Sequence, residues 1–67
     1  MVDNSVIAER LRKLRGKRHR VDVANACGIT VSALTMYETG KRIPRDEIKV
    51  ALARYYKRSV QYIFFTK

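Results

Sequence analysis

Residues 20–42 read RVDVANACGITVSALTMYETGKR, and this stretch holds two short apolar-patterned segments separated by one glycine. Val23, Ala24 and Cys27 fall at +1 and +4 from one another, one face of a helix with ~3.6 residues per turn. Gly28 predicts the stop of that helix, because the residue just past a helix end commonly takes left-handed angles that glycine adopts without steric penalty. Thr30 is a good N-cap for the next helix, and Leu34 and Tyr37, spaced i, i+3, are its inward pair. Ala24 is small, as the close crossing of two helices requires. The pattern predicts a helix-turn-helix with its core over residues 20–38.

On the N-terminal side, residues 5–17 keep Ile7, Leu11 and Leu14 on one stripe, with Glu9, Arg10, Arg12, Lys13 and Lys17 on the other faces. They read as a first helix, with Asp3, Asn4 or Ser5 available as its cap and the residues before it frayed. Such a basic amphipathic helix could also lie on a membrane, but its stripe is narrow and lacks Trp or Phe. Residues 39–45 read as a loop, in which Pro44 biases Ile43 to extended geometry. A fourth helix is expected over residues 46–56, capped by Asp46 and apolar at Ile48, Leu52 and Tyr55 or Tyr56. Ser59 then caps a short last helix from Val60 to about Phe65. The expectation is an all-α chain of five helices forming a single domain over residues 1–67.

Fifteen Lys and Arg against six Asp and Glu give a formal net charge of +9. That excess draws polyanions from a distance and holds them by counterion release. Charge alone leaves nucleic acid, an anionic membrane surface and an acidic protein in competition. One cysteine and one histidine allow neither an intrachain disulfide nor a soft-ligand metal site, so no metal and no cofactor are expected. Cys27 lies on the inward face of its helix, far in sequence from His19, and reads as an inert buried thiol. Without paired carboxylates or a glycine-rich phosphate loop, no catalytic residue and no enzyme are expected. No apolar run nears the ~18 to 20 residues of a membrane span, and the start MVDNS is acidic and polar, which predicts a cytoplasmic protein.

Ala24, Gly28 and Leu34, with apolar Val23, Ile29 and Tyr37 around them, resemble the helix-turn-helix of the phage Cro/repressor family, also known as the xenobiotic response element family. The run YETGKRIP, Tyr37–Pro44, is similar to that family's Tyr-Glu-Asn-Gly-Lys-Arg-x-Pro element. The resemblance covers about residues 7–65 and implies a compact five-helix lambda-repressor-like DNA-binding domain whose helices 2 and 3 form the helix-turn-helix. It also implies a structural ion pair between Arg15 and Glu38. Two positions depart from the family pattern. His19 replaces the usual Ser or Thr cap of helix 2 and is a poorer one, and Arg20 replaces a Gln while keeping a donor at the phosphate-facing end.

A recognition helix enters the major groove by its N-terminal half. Val31, Ser32, Thr35 and Met36 are the outward residues there, and they match the family's base-contacting positions. None is Arg, Lys, Asn or Gln, so direct readout is expected to be weak, A·T-leaning, and supplemented by DNA shape. Met36 could equally fill a gap in the core. For phosphates the candidates are Arg20, Thr30, Thr39, Lys41 and Arg42, with Arg45 and Lys17 weaker. The function implied is a sequence-specific regulator of transcription on double-stranded DNA, a phage-like or prophage repressor acting as a dimer on a palindromic operator. An antitoxin-like or other protein-interaction factor is the alternative. A small-molecule ligand and a membrane partner are not expected. In the family the last helix and the residues after it commonly form the dimer contact. Here that would leave Tyr62 and Phe65 as an exposed pair at its centre, with the dimer forming either in free solution or only once DNA aligns two copies.

Overall fold

The computed structural model describes residues 2–66 and is helical throughout, with no strand among the described residues. Four α-helices follow in order: α1, Asn4–Arg15; α2, Arg20–Cys27; α3, Val31–Glu38; and α4, Asp46–Tyr56. A single π-helical turn, Gln61–Phe65, closes the chain. Helix α1 packs on α3 and on the C-terminal turn, while α2 packs on both α3 and α4. Leu11, Val23, Leu34, Leu52 and Ile63, one from each element, are sealed from solvent and form the centre of one core. Each such aliphatic side chain contributes about 1.5–3 kcal/mol on burial, so all five elements are tied to the same apolar centre.

The N-terminus is ordered where fraying is expected. The Asp3 carboxylate accepts from the Ser5 and Val6 amides at 3.0 and 3.1 Å and from the Ser5 hydroxyl at 2.6 Å. That hydroxyl bond, foremost, holds the Asp3 carboxyl below the usual carboxylate range. Val2 is buried in the core, and Asn4 Nδ2 donates to the Gly40 carbonyl at 3.4 Å. A cap and an apolar anchor thus tie the chain start under the loop after α3; of the residues expected to fray, Met1 lies outside the described ones.

Helix boundaries follow local chemistry. Helix α1 ends at Arg15 rather than 17, because Gly16 turns to φ 56°, ψ −122°. Arg45, not Asp46, occupies the cap position of α4 and makes no side-chain cap bond. Asp46 is the first helical residue, where its charge still suits the helix dipole. Of the two tyrosines at the end of α4, Tyr56 is buried and Tyr55 packs edge-on against it at 5.2 Å between ring centroids. No described group bonds the Tyr56 hydroxyl, and burial, foremost, pushes its pKa up to about 12.

Three helices end in the same hydrogen-bonded turn. After α2 the Gly28 amide donates to the Asn25 carbonyl and the Ile29 amide to that of Ala24; after α3, Gly40 donates to Tyr37 and Lys41 to Met36. After α4, Lys57 donates to Arg54 and Arg58 to Ala53. This is the Schellman arrangement, in which the residue past the helix takes left-handed angles. Gly28 and Gly40 do so at φ 71° and 77°, and Lys57 does so at φ 57° without being glycine.

Candidate nucleic-acid interface

The candidate surface is set by how α3 is held. Thr30 caps its start, with Oγ1 accepting from the Ala33 amide at 3.0 Å. Leu34 and Tyr37 are buried beneath it and Ala33 is half-buried. Its last residue, Glu38, is a fully buried carboxylate, 0 % exposed. A lone buried charge would be costly, and this one is fully partnered. Arg15 Nε donates to Oε2 at 2.8 Å and Arg20 Nε to Oε1 at 2.9 Å, so each carboxylate oxygen has its own guanidinium. Arg12 Nη1 also donates to the Glu38 backbone carbonyl. Arginines from α1 and α2 therefore close on one residue of α3. The bond to Glu38, foremost, pushes the Arg15 guanidinium above its already high pKa.

Two of these arginines are not legible in the sequence as partners of Glu38. Arg20, expected at a phosphate, uses its Nε on Glu38, although its side chain stays 36 % exposed and its terminal nitrogens have no partner among the described residues. Arg12 is expected to be a solvent-facing charge and instead reaches across to α3. The usable signal for Arg12 is its i, i+3 spacing from Arg15, and for Arg20 the capacity of a carboxylate to accept from more than one guanidinium.

The outward face of α3 presents Val31, Ser32 and Met36 as exposed side chains and Thr35 as half-buried. Met36 is therefore not a core residue. Thr35 Oγ1 donates to the Val31 carbonyl at 2.9 Å, which leaves its methyl and its lone pairs to face outward. The Ser32 hydroxyl has no partner among the described residues. At the start of α2, His19 makes no side-chain cap bond, and Asp22 complements the helix dipole in its first turn.

The remaining phosphate candidates differ in what they have left to offer. Thr30 accepts through its cap and keeps its own proton as a donor. Thr39 does not: its hydroxyl donates to the Thr35 carbonyl at 2.8 Å and reaches that of Met36 at 3.3 Å. Phosphate oxygens only accept, so Thr39 would have to break an intrahelical bond to reach one. Lys41 and Arg42 are exposed, and both of their amides point back to the Met36 carbonyl, at 3.0 and 3.4 Å, which fixes the loop against the end of α3. Lys17 is exposed. Arg45 lies 3.9 Å from Glu47 in a solvent-exposed pair, which holds it only weakly.

Burial raises the Cys27 pKa, as fits a thiol in the core. Among the described residues no group of His, Cys, Asp or Glu could hold a metal ion, and no helix is long and apolar enough to cross a membrane.

The helix-turn-helix family profile matches residues 9–63, the span from α1 through the C-terminal turn. The chain belongs to the helix-turn-helix family. That makes it a DNA-binding domain of the transcription-regulator kind. Among solved structures, that of the SOS-response transcriptional repressor LexA from Eubacterium rectale superposes with a TM-score of 0.86 over 100% of this chain and 77% of that one, at 21% identity. At that identity the likeness shows the fold, and the five-helix lambda-repressor-like arrangement is the one observed. No curated protein sequence matches the chain. In this fold α2 and α3 are the helix-turn-helix pair.

Proposed function

We propose that this helix-turn-helix protein is a sequence-specific repressor of the phage or prophage type, binding a palindromic operator as a dimer. The observation that carries the reading is the outward face of α3. Val31, Ser32, Thr35 and Met36 stand clear of the core on a helix whose end is clamped through Glu38. Lys41 and Arg42 follow at one end of it, and Arg20 stands at the start of the preceding helix. Cations beside the reading helix bind phosphates and set register, while the face between them meets base edges.

The chemistry of that face favours A·T-rich half-sites. Val31, Met36 and the Thr35 methyl suit thymine methyls, Ser32 is the one free hydroxyl of the four, and none forms a bidentate base pair contact. One such helix distinguishes few sequences, so a second copy about one helical turn away is needed for useful specificity. Tyr62 and Phe65, 49% and 56% exposed on the C-terminal turn, are the pair we assign to that contact. Arg10 lies over the Tyr62 ring at 5.7 Å and Lys49 over Phe65 at 5.0 Å, which orients both rings without covering them.

Selection of bound duplexes from a random pool tests the proposal. The expected product is an A·T-leaning inverted repeat, bound more tightly than its scrambled counterpart, with affinity falling steeply as salt rises. Equal binding to selected and scrambled duplexes would leave the protein-interaction reading in its place.

A further inference from the structure

The turn after α4 is built against its own backbone preference. Gly28 and Gly40 fill the left-handed position of the matching turns after α2 and α3, whereas Lys57 fills it here at φ 57°. A side chain in that conformation is disfavoured because its Cβ crowds the following carbonyl. An observed outlier of this kind is grounds for asking what the side chain does.

Its surroundings give a direction. Arg18, from the connection between α1 and α2, lies over the Tyr55 and Tyr56 rings at 5.4 and 5.7 Å, so that connection is seated on the end of α4 next to Lys57. Arg18 is held from the other side too, its carbonyl accepting from Arg15 Nη1 at 2.9 Å and its own Nη1 donating to Leu14 at 3.3 Å. Lys17, Arg18, Lys57 and Arg58 are all exposed, and none forms an ion pair among the described residues. Arg18 on the Tyr55 and Tyr56 rings brings its chain neighbour Lys17 towards the end of α4 that Lys57 and Arg58 follow, and unpaired like charges brought near one another disfavour the folded state unless a polyanion joins them. Lys17 and Arg18 stand three and two residues before Arg20, the first residue of α2.

We infer that Lys17, Arg18, Lys57 and Arg58 form a second phosphate-binding surface, which holds the backbone of the same duplex beyond the segment that α3 reads. This rests on the DNA-binding reading above and extends it from the groove to the flanking DNA. Lys57 occupies a glycine's position because its charge is used there, and Arg18 stacks on tyrosines because the stack fixes its guanidinium while leaving the charge available.

The test compares wild type with Lys57→Gly, and with Lys57→Asn, which removes the charge but tolerates the left-handed angles. Each is titrated against two forms of the selected duplex, one trimmed to the bound repeat and one extended by about a helical turn, ~10 base pairs, on each side. Wild type should bind the extended form more tightly. Both variants should lose part of that gain and show a salt slope shallower by ~1 on the extended form alone, while Lys57→Gly melts no lower than wild type. Binding of both forms with equal affinity by wild type, or an unchanged gain and slope in both variants, would overturn the inference and leave the repressor reading intact. A loss of binding to anionic vesicles or single-stranded RNA in the variants, with the duplex gain unchanged, would equally overturn it. Absence of selective duplex binding by wild type would instead be the failure of the repressor reading.

Discussion

Helix α3 and the C-terminal turn are both short pieces of chain docked on α1, and both combine apolar burial with arginine hydrogen bonds, but only α3 buries a carboxylate between two guanidinium groups. Helix α3 is fixed by directional bonds, with the buried Glu38 carboxylate between Arg15 and Arg20 and its carbonyl under Arg12. The C-terminal turn is fixed by burial of Ile63 and Phe64, with Arg10 bonding the Tyr62 and Ile63 carbonyls at 2.8 and 3.2 Å. Burial is non-directional, whereas charge-assisted hydrogen bonds set an angle. Both pieces carry the second kind of restraint, but in α3 it is anchored on a buried charge, whereas in the turn it reaches only backbone carbonyls.

This contrast is most exposed to disruption at Glu38. Glu38→Ala leaves Arg15 without its carboxylate, and breaking a buried pair typically costs about 3–5 kcal/mol. A domain of this size holds only about 3–10 kcal/mol in total. The urea midpoint should therefore collapse for Glu38→Ala and barely move for Glu9→Ala, which alters an exposed carboxylate of α1. Similar midpoints for the two would mean that α3 is held by its apolar face alone.

Alkaline titration probes the apolar side of the comparison. Tyr56 is raised to about 12 in the folded chain from an ordinary 10.0, so the native state keeps its proton where the unfolded chain has lost it. Its stability contribution is full below pH 10 and disappears as pH rises from about 10 to 12. At about 1.4 kcal/mol per unit this amounts to roughly 2–3 kcal/mol. Tyr56→Phe should flatten that part of the stability profile. A profile identical in wild type and variant would place the hydroxyl in contact with water.

On DNA the expected effects are smaller and divide by role. Arg42→Ala or Lys41→Ala should weaken operator and random duplex alike and reduce the salt slope by ~1. Ser32→Ala and Thr35→Ala should shrink the ratio of specific to non-specific affinity instead, typically by ~1 kcal/mol or more. A change of sequence preference in Arg42→Ala would reverse the assignment.

Stability should respond least at Phe65, already 56% exposed. Phe65→Ser should leave the denaturation midpoint within about 0.5 kcal/mol of wild type and shift sedimentation at tens of micromolar towards monomer. Monomer in both proteins, with cooperative binding to the selected repeat retained, would assign dimerisation to the DNA.

Much of this chain is legible from local rules. The spacing of Val23, Ala24, Cys27, Leu34 and Tyr37 around Gly28 determines two helices and a turn, because helix period and glycine's left-handed tolerance are properties of the chain itself. The outward set on α3 follows from the same period. Tertiary packing, by contrast, dictates how polar groups are shared. Residues 12, 15 and 20 lie on two helices, and nothing in their own neighbourhood says that they converge on one residue, Arg15 and Arg20 on its carboxylate and Arg12 on its backbone carbonyl, since that depends on the angle at which α1, α2 and α3 cross. Val2 belongs by sequence to a loose end, because its partners are distant along the chain. Tyr55 and Tyr56 are adjacent and equivalent by composition, and only the packing of α2 and the 16–19 connection onto α4 buries one and leaves the other half-buried, with Arg18 over both rings. Local propensity, finally, puts glycine after α4; the structure forms the turn with Lys57, because two backbone hydrogen bonds and the packed end of α4 outweigh one strained residue.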